Sequence, residues 1–228
     1  MVVDSKIFTC KAFMLCMNFS FVLSMSQLHN TVFGEYAELV LMMVSVLFFV
    51  MHFVSSAKFQ WMTLFEIVVL IGIGLIALKV SGGATLLKLI LFFGITQEVD
   101  RESVLKGYRW SLIIPSLFVA VLSLFGFVDL YYSGAKNAIE FGMQNPNTVP
   151  VIVLSILVAY NLQNECKLSG KIIVTEFVIS ILLYYFCKAR TAVIILVCYL
   201  TGVFMLKRTG SIKKIFKPCQ YVFLICAG

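Results

Sequence analysis

The chain has 228 residues, 61% of them hydrophobic and only 13% charged, and its mean hydropathy is +1.01. A soluble domain contains about 45–50% apolar and about 25% charged residues, so this composition excludes an ordinary soluble protein and predicts an integral membrane protein. The formal net charge of +7 would indicate a nucleic-acid partner in a soluble protein. In a membrane protein the informative property is instead how Lys and Arg are distributed between the two sides of the membrane. We expect no nucleic-acid partner.

The sequence predicts eight complete transmembrane helices, and a ninth apolar segment begins near Tyr221. In chain order the eight segments are Ala12–Leu28, Tyr36–Val54, Trp61–Val80, Thr85–Gln97, Trp110–Val128, Thr148–Leu162, Lys171–Cys187 and Thr191–Leu206. The expected fold is therefore all-α, a polytopic membrane helix bundle that forms a single transmembrane domain over residues 1–228. The ninth segment has only eight residues before the last position, too few to span a bilayer, so we expect the chain to be the N-terminal part of a longer protein.

The first apolar segment has two interpretations. Basic residues, a short apolar run and the small-x-small triplet "SMS" are also typical of a cleaved signal peptide. Asn18 and Ser20 interrupt the apolar run, and a multi-spanning chain can use its first helix as a signal anchor. We therefore interpret this segment as an uncleaved first helix.

The distribution of basic residues predicts the orientation. With a cytoplasmic N-terminus, 13 of the 18 Lys and Arg residues lie inside, four lie outside, and Lys88 falls within the fourth segment. This asymmetry follows the positive-inside rule. It makes Asp129–Asn147 the longest extracytoplasmic loop and puts the four outside cations, Lys79, Lys136, Lys188 and Arg190, in the same compartment.

Several short patterns have simpler explanations than a cofactor or metal site. "GIGLIA" at 72–77 matches a dinucleotide fingerprint, but it lies within an apolar run, where small residues serve helix packing. "DRE" at 100–102 is consistent with a solvated cytoplasmic loop, and the two histidines have no metal-ligand spacing. Glu66 and Glu176 lie near the inner ends of their segments, where a snorkelling carboxylate and a proton or ion site are both open interpretations. We expect no cofactor and no metal.

Two extracytoplasmic features suggest a binding site. "KART" at 188–191 puts Arg190 at the start of the eighth helix, where a guanidinium and unpaired backbone N–H groups favour an anion, unless Arg190 only anchors the helix at the interface. The loop contains amides, a carboxylate and aromatic rings that suit a carbohydrate, namely Gln144, Asn145, Asn147, Glu140, Tyr131 and Tyr132. "NPNT" within it is equally typical of a turn followed by a helix cap.

Together, the "GMQNPNT" loop and the later "ART" resemble Wzy-type polysaccharide repeat-unit polymerases of the O-antigen polymerase and ligase superfamily. The resemblance runs from about Ser123 to Leu206, and upstream it rests on topology alone. It implies that lipid-linked oligosaccharide units on undecaprenyl diphosphate are joined outside the cytoplasmic membrane of a bacterium, building an O-antigen, a capsule or an exopolysaccharide. Expected partners are that substrate, membrane lipids, and chain-length regulator and flippase proteins.

The resemblance also implies roles for individual residues. Arg190 would bind the departing diphosphate with help from Lys188 or Lys136, and Glu140, ahead of Asp129, would accept the proton of the attacking hydroxyl. Substrate binding would fall to Asn145, Asn147, Gln144, Tyr131 and Tyr132. The chain departs from the family where Arg is common in place of Lys136, where Ser or Gly is common in place of Ala189, and in lacking the family's large later loop.

Three alternatives to a polymerase stay open from the sequence. An O-antigen ligase of the same superfamily would transfer a finished glycan instead of extending it. A flippase or transporter of the same lipid-linked unit would need buried charges in mid-membrane, for which Glu66 and Glu176 are the candidates. A structural membrane subunit would have no chemistry at all.

Overall fold

The computed structural model describes residues 2–54, 85–96, 99–130, 138–164, 169–188 and 190–209, together with isolated positions between 65 and 79. These ranges contain seven α-helices: α1 (Val2–Ser24), α2 (Val32–Val54), α3 (Thr85–Thr96), α4 (Arg101–Leu124), α5 (Thr148–Gln163), α6 (Gly170–Cys187) and α7 (Arg190–Thr209). A short 3₁₀ helix, Gln27–Asn30, joins α1 to α2. The described residues form no strand, only an isolated antiparallel bridge between Ser26 and Met143, so the predicted all-helical fold is confirmed.

Four of these helices are long and apolar enough to cross a membrane: α2, α4, α6 and the Ser5–Ser24 part of α1. Multi-pass membrane insertion is therefore consistent with the fold, but the prediction of eight complete transmembrane helices is not supported. The 12 residues of α3 and the 16 of α5 rise only about 18 and 24 Å at 1.5 Å per residue, against a hydrocarbon core of about 30 Å. The predicted third segment, apart from isolated positions, and the ninth lie outside the described residues.

Two helices have boundaries that differ clearly from the apolar segments that predicted them. Helix α1 begins at Val2 and ends at Ser24, whereas the predicted segment was Ala12–Leu28. Helix α4 begins at Arg101 instead of Trp110, because the Asp100 carboxylate accepts the Ser103 N–H at 2.8 Å and caps a charged first turn. Hydropathy identifies only the apolar part of a helix, and the helix itself can extend beyond that part by polar turns.

Helices α1 and α4 run parallel and form the centre of the described bundle. A Cβ on Gly107 would meet the Lys11 side chain at 3.1 Å, and the Asn18 amide donates to the Ser111 hydroxyl at 2.6 Å. Because the two helices point the same way, their C-terminal ends lie together. Buried apolar side chains fill the space around them in two clusters, one including Phe13, Met14, Phe49 and Ile95 and the other including Val22, Val119, Met143 and Ile152.

The other helices alternate in direction, so that the connecting segments gather at two ends. At one end Thr9 of α1 contacts His52 of α2 at 3.0 Å, and Arg101 donates to the Leu162 carbonyl of α5 at 3.3 Å. The opposite end, which we call the loop end, contains residues 25–31, 125–130, 138–147, 187–188 and 190. This grouping agrees with the alternation that the basic residues predicted.

Gly34 is required for the turn between α1 and α2. A Cβ at this position would overlap the backbone carbonyl of Leu28, which cannot move without breaking the 3₁₀ helix. We expect Gly34→Ala to lower the free energy of unfolding by about 1–3 kcal/mol, as overpacking does elsewhere. Thermal unfolding of the detergent-purified protein measures it. Gly202→Ala is the matched control, since a Cβ there meets nothing within 4 Å, and equal midpoints for the two variants would contradict this packing.

Candidate functional site

Backbone hydrogen bonds hold the loop after α4 against the end of α6. The Ile139 N–H donates to the Phe186 carbonyl at 3.0 Å, and the Glu140 N–H donates to the Leu130 carbonyl at 2.9 Å. Phe141 packs against the buried side chain of Cys187. The two sequence features that suggested a site, the loop with Glu140 and the junction between α6 and α7, are therefore neighbours in the fold.

The turn between α1 and α2 also forms hydrogen bonds with this loop. The Gln27 N–H donates to the Gly142 carbonyl at 2.9 Å, and the Gln144 N–H donates to the Met25 carbonyl at 2.8 Å. The Gln144 side-chain amide adds a bond of 3.0 Å to the Ser26 carbonyl. These three bonds fix the register between residues 25–27 and 142–144 around the Ser26–Met143 bridge.

Two residues in the left-handed region reverse the loop next to Glu140. Phe141 has φ +52° and Gly142 has φ +77°. A Cβ on Gly142 would approach Cγ2 of Val128 to 2.7 Å, so both the backbone conformation and the space favour glycine there. A phenylalanine in this region is unusual and is maintained by the surrounding contacts, which is a pattern often found at functional sites.

Glu140 is the buried carboxyl of the loop end. Its residue is only 2% exposed, and its Oε1 atom has no hydrogen-bond partner among the described residues. Burial raises the pKa of the Glu140 carboxyl above its ordinary value, the Gln27 amide opposes this shift, and the nearby Asp129 carboxylate adds to it. A carboxyl group whose pKa is raised above its ordinary value, and which has one oxygen without a partner among the described residues, is suited to exchange a proton with a ligand.

Asp129 is held in place through its backbone. Its N–H donates to Oε1 of Gln27 at 2.8 Å, and its carbonyl accepts from the Ser123 hydroxyl at 3.4 Å. Its side chain is exposed. The two acidic residues predicted as catalytic therefore differ in environment, with Glu140 buried and Asp129 open to solvent.

Lys188 and Arg190 lie at the turn between α6 and α7. Lys188 adopts φ +52° and ends α6 by donating its N–H to the Tyr184 carbonyl at 3.0 Å. Arg190 is the first residue of α7, and both side chains are exposed. The left-handed Lys188 turns the chain so that α7 begins at the loop end, where the guanidinium and the first N–H groups of the helix both favour an anion.

The Asn145 side chain shapes the turn of the loop, whereas the Gln144 amide binds the Ser26 carbonyl. Oδ1 of Asn145 accepts the Asn147 N–H at 2.8 Å, and the Asn145 carbonyl accepts the Thr148 N–H at 3.0 Å. Asn147 precedes α5 without a side-chain cap bond and is exposed, as are Asn145 and Gln144. The predicted turn is present, and sugar binding by these amides stays a prediction. The remaining predicted ligands, Lys136, Tyr131 and Tyr132, lie outside the described residues.

Gln27 belongs to the site, although the sequence did not single it out. Its side-chain oxygen accepts the Asp129 N–H, and its backbone N–H donates to the Gly142 carbonyl. A hydrogen bond from its side chain also opposes the rise in the pKa of Glu140. The available signal was the polar run "SMSQLHN" between two apolar segments. Gln27 falls within the predicted first transmembrane segment, Ala12–Leu28, and hydropathy therefore gives no indication of this role.

Within the part of the chain that the structure describes, no group of three His, Cys, Asp or Glu residues could hold a metal ion. Neither a family model, a curated protein nor a solved structure matches this chain. Any functional assignment therefore rests on the chemistry and geometry of the loop end.

Proposed function

We propose that this protein polymerises oligosaccharide repeat units linked to undecaprenyl diphosphate, by glycosyl transfer at the extracytoplasmic face of a bacterial cytoplasmic membrane. One observation supports this above the others: the Ile139–Phe186 hydrogen bond joins the loop that contains Glu140 to the turn that leads to Arg190. A proton acceptor and two exposed cations therefore share one end of the bundle. Those are the groups that transfer from a diphosphate donor requires.

Each of these groups has its own role in the reaction. A hydroxyl of the acceptor unit attacks the anomeric carbon of the donor glycan, and the bond between that carbon and the diphosphate oxygen breaks. The diphosphate leaves with the electron pair, and Arg190, with Lys188, neutralises its charge by bidentate and single hydrogen bonds. Glu140 takes the hydroxyl proton, because its buried carboxyl has an oxygen with no partner among the described residues.

The distribution of charge supports an extracytoplasmic site. Lys11, Arg101 and Lys171 lie at the end of the bundle away from the loop end, which is the end that the positive-inside rule assigns to the cytoplasm. The loop end then faces outward, where lipid-linked units are available after translocation. The product is a surface polysaccharide such as an O-antigen, a capsule or an exopolysaccharide.

Deletion of the gene in the organism that encodes it separates this proposal from its alternatives. We expect the mutant to make surface glycans of a single repeat unit, and the wild-type gene to restore long chains. Full-length polymer that stays unattached would contradict a polymerase and indicate a ligase. Lipid-linked units that accumulate on the cytoplasmic side would contradict it in favour of a flippase.

A further inference from the structure

A second buried carboxyl lies far from the loop end, between α5 and α6. Glu176 is 2% exposed and Asn161 is 0% exposed. Nδ2 of Asn161 donates to Oε2 of Glu176 at 3.3 Å. The nearby Ser180 hydroxyl donates to the backbone carbonyl of Glu176 at 2.7 Å, so it is not available to the carboxyl group.

This pair lacks one hydrogen-bond donor. Oε1 of Glu176 and Oδ1 of Asn161 are both buried, and neither has a hydrogen-bond partner among the described residues. Both atoms are acceptors, and a carboxylate has no hydrogen to donate. Exchanging the oxygen and nitrogen of the Asn161 amide does not help, because Oδ1 would then face Oε2 and still lack a donor.

A single proton on Glu176 would supply the hydrogen-bond donor that this pair lacks. A neutral carboxylic acid and a carboxamide form a closed pair, in which the acid O–H donates to the amide oxygen while the amide N–H donates to the acid carbonyl. The observed bond from Nδ2 to Oε2 is one half of that pair. A carboxylate would instead leave a buried charge with an unpaired oxygen in an apolar segment.

Among the side chains that the structure describes, none forms a salt bridge with Glu176. The titratable and charged groups on the helices packed around Glu176 are Tyr160 of α5, Arg190, Cys198, Tyr199, Lys207 and Arg208 of α7, and Lys171, Tyr184, Tyr185 and Cys187 of α6 itself. Asn161 provides the hydrogen bond to the carboxyl group. Arg109 of α4 points elsewhere, with its guanidinium 5.2 Å from the centre of the Tyr160 ring.

We propose that Asn161 and Glu176 form a proton-binding site within the helix bundle, in which the bound proton completes a two-hydrogen-bond pair between α5 and α6. The site is separate from the loop end and does not depend on the function proposed for it. Its ligand is a proton and not a metal ion. Of the two interpretations of Glu176 that the sequence left open, a snorkelling carboxylate and a proton or ion site, this proposal adopts the proton site.

Infrared difference spectroscopy of the reconstituted full chain tests the bound proton. At neutral pH we expect the wild type to show a carbonyl band of a protonated carboxylic acid that is missing from Glu176→Gln. In Asn161→Leu the same band should shift, because the acid loses its partner. If the wild type and Glu176→Gln have the same spectrum in this region, Glu176 is ionised and the proposal is wrong.

Thermal unfolding of three variants provides an independent readout. Glu176→Gln replaces the acid O–H with an amide N–H and should unfold at the wild-type temperature, whereas Glu176→Ala and Asn161→Leu should each unfold earlier. If the unfolding temperature falls as much in Glu176→Gln as in Glu176→Ala, the pair needs a charged Glu176 and the proposal is wrong. Wild-type stability that depends on sodium but not on potassium would also overturn the proposal, since a metal ion would then be the ligand.

Discussion

Glu140→Gln is expected to lower glycosyl transfer by about 10²–10⁴-fold, the usual contribution of a general base. The variant keeps the size and the buried position of the side chain but cannot accept the hydroxyl proton. The measurement is the rate at which purified, reconstituted protein elongates lipid-linked repeat units. Asp129→Asn tests the other carboxyl of the loop end, and a large loss there with normal transfer by Glu140→Gln would exchange their roles.

The raised pKa of Glu140 also predicts how pH affects activity and stability. Transfer needs the ionised base, so the rate should rise with pH through a value above the ordinary glutamate pKa of about 4.3. The folded state holds the proton more tightly than the unfolded chain, so stability falls as pH rises from the unfolded to the folded pKa and stays lower above it. Glu140→Gln should lack this loss and unfold no earlier than the wild type at neutral pH, with the exposed Glu102→Gln as control.

Arg190→Ala is expected to abolish long polymer while the protein still inserts into the membrane at normal levels. Removing a group that stabilises developing charge typically costs about 10²–10³-fold in rate. Arg190→Lys should recover part of the activity, because a lysine keeps the charge but not the bidentate geometry. Glycan length on gels and the amount of protein in isolated membranes are the two measurements.

Lys171→Ala is the matched control for Arg190→Ala. Both residues are exposed cations in the first turn of a helix, and both substitutions remove one positive charge. They differ in location, since Lys171 lies at the end of the bundle away from the loop end. Normal polymer length in Arg190→Ala, or an equal loss in Lys171→Ala, would contradict a diphosphate site at the loop end.

Hydropathy predicted the helices better than it predicted their ends. The all-helical fold follows from apolar runs and is present, but α4 starts nine residues before its apolar segment because Asp100 caps a charged turn. Helix α3 illustrates the opposite error. Its 12 residues are apolar enough for lipid but too short to cross a bilayer, and hydropathy alone does not distinguish these cases.

The candidate site was predictable only in part, because it depends on contacts between distant segments. Glu140 and Arg190 stood out as charged residues beside apolar runs, and the turn at "NPNT" followed from its own composition. The role of Gln27 depends on a hydrogen bond to Asp129, 102 positions later in the chain, and no local pattern contains that pairing. The burial of Glu140 is likewise a property of the assembled loop end.

The most direct test of the proposed function is a transfer assay with the purified chain in liposomes that contain defined lipid-linked repeat units. We predict a ladder of products, each longer by one unit, in the wild type and in Lys171→Ala, and unchanged single units in Arg190→Ala and Glu140→Gln. Single units from the wild type, or a full ladder from both loop-end variants, would contradict glycosyl transfer at this site.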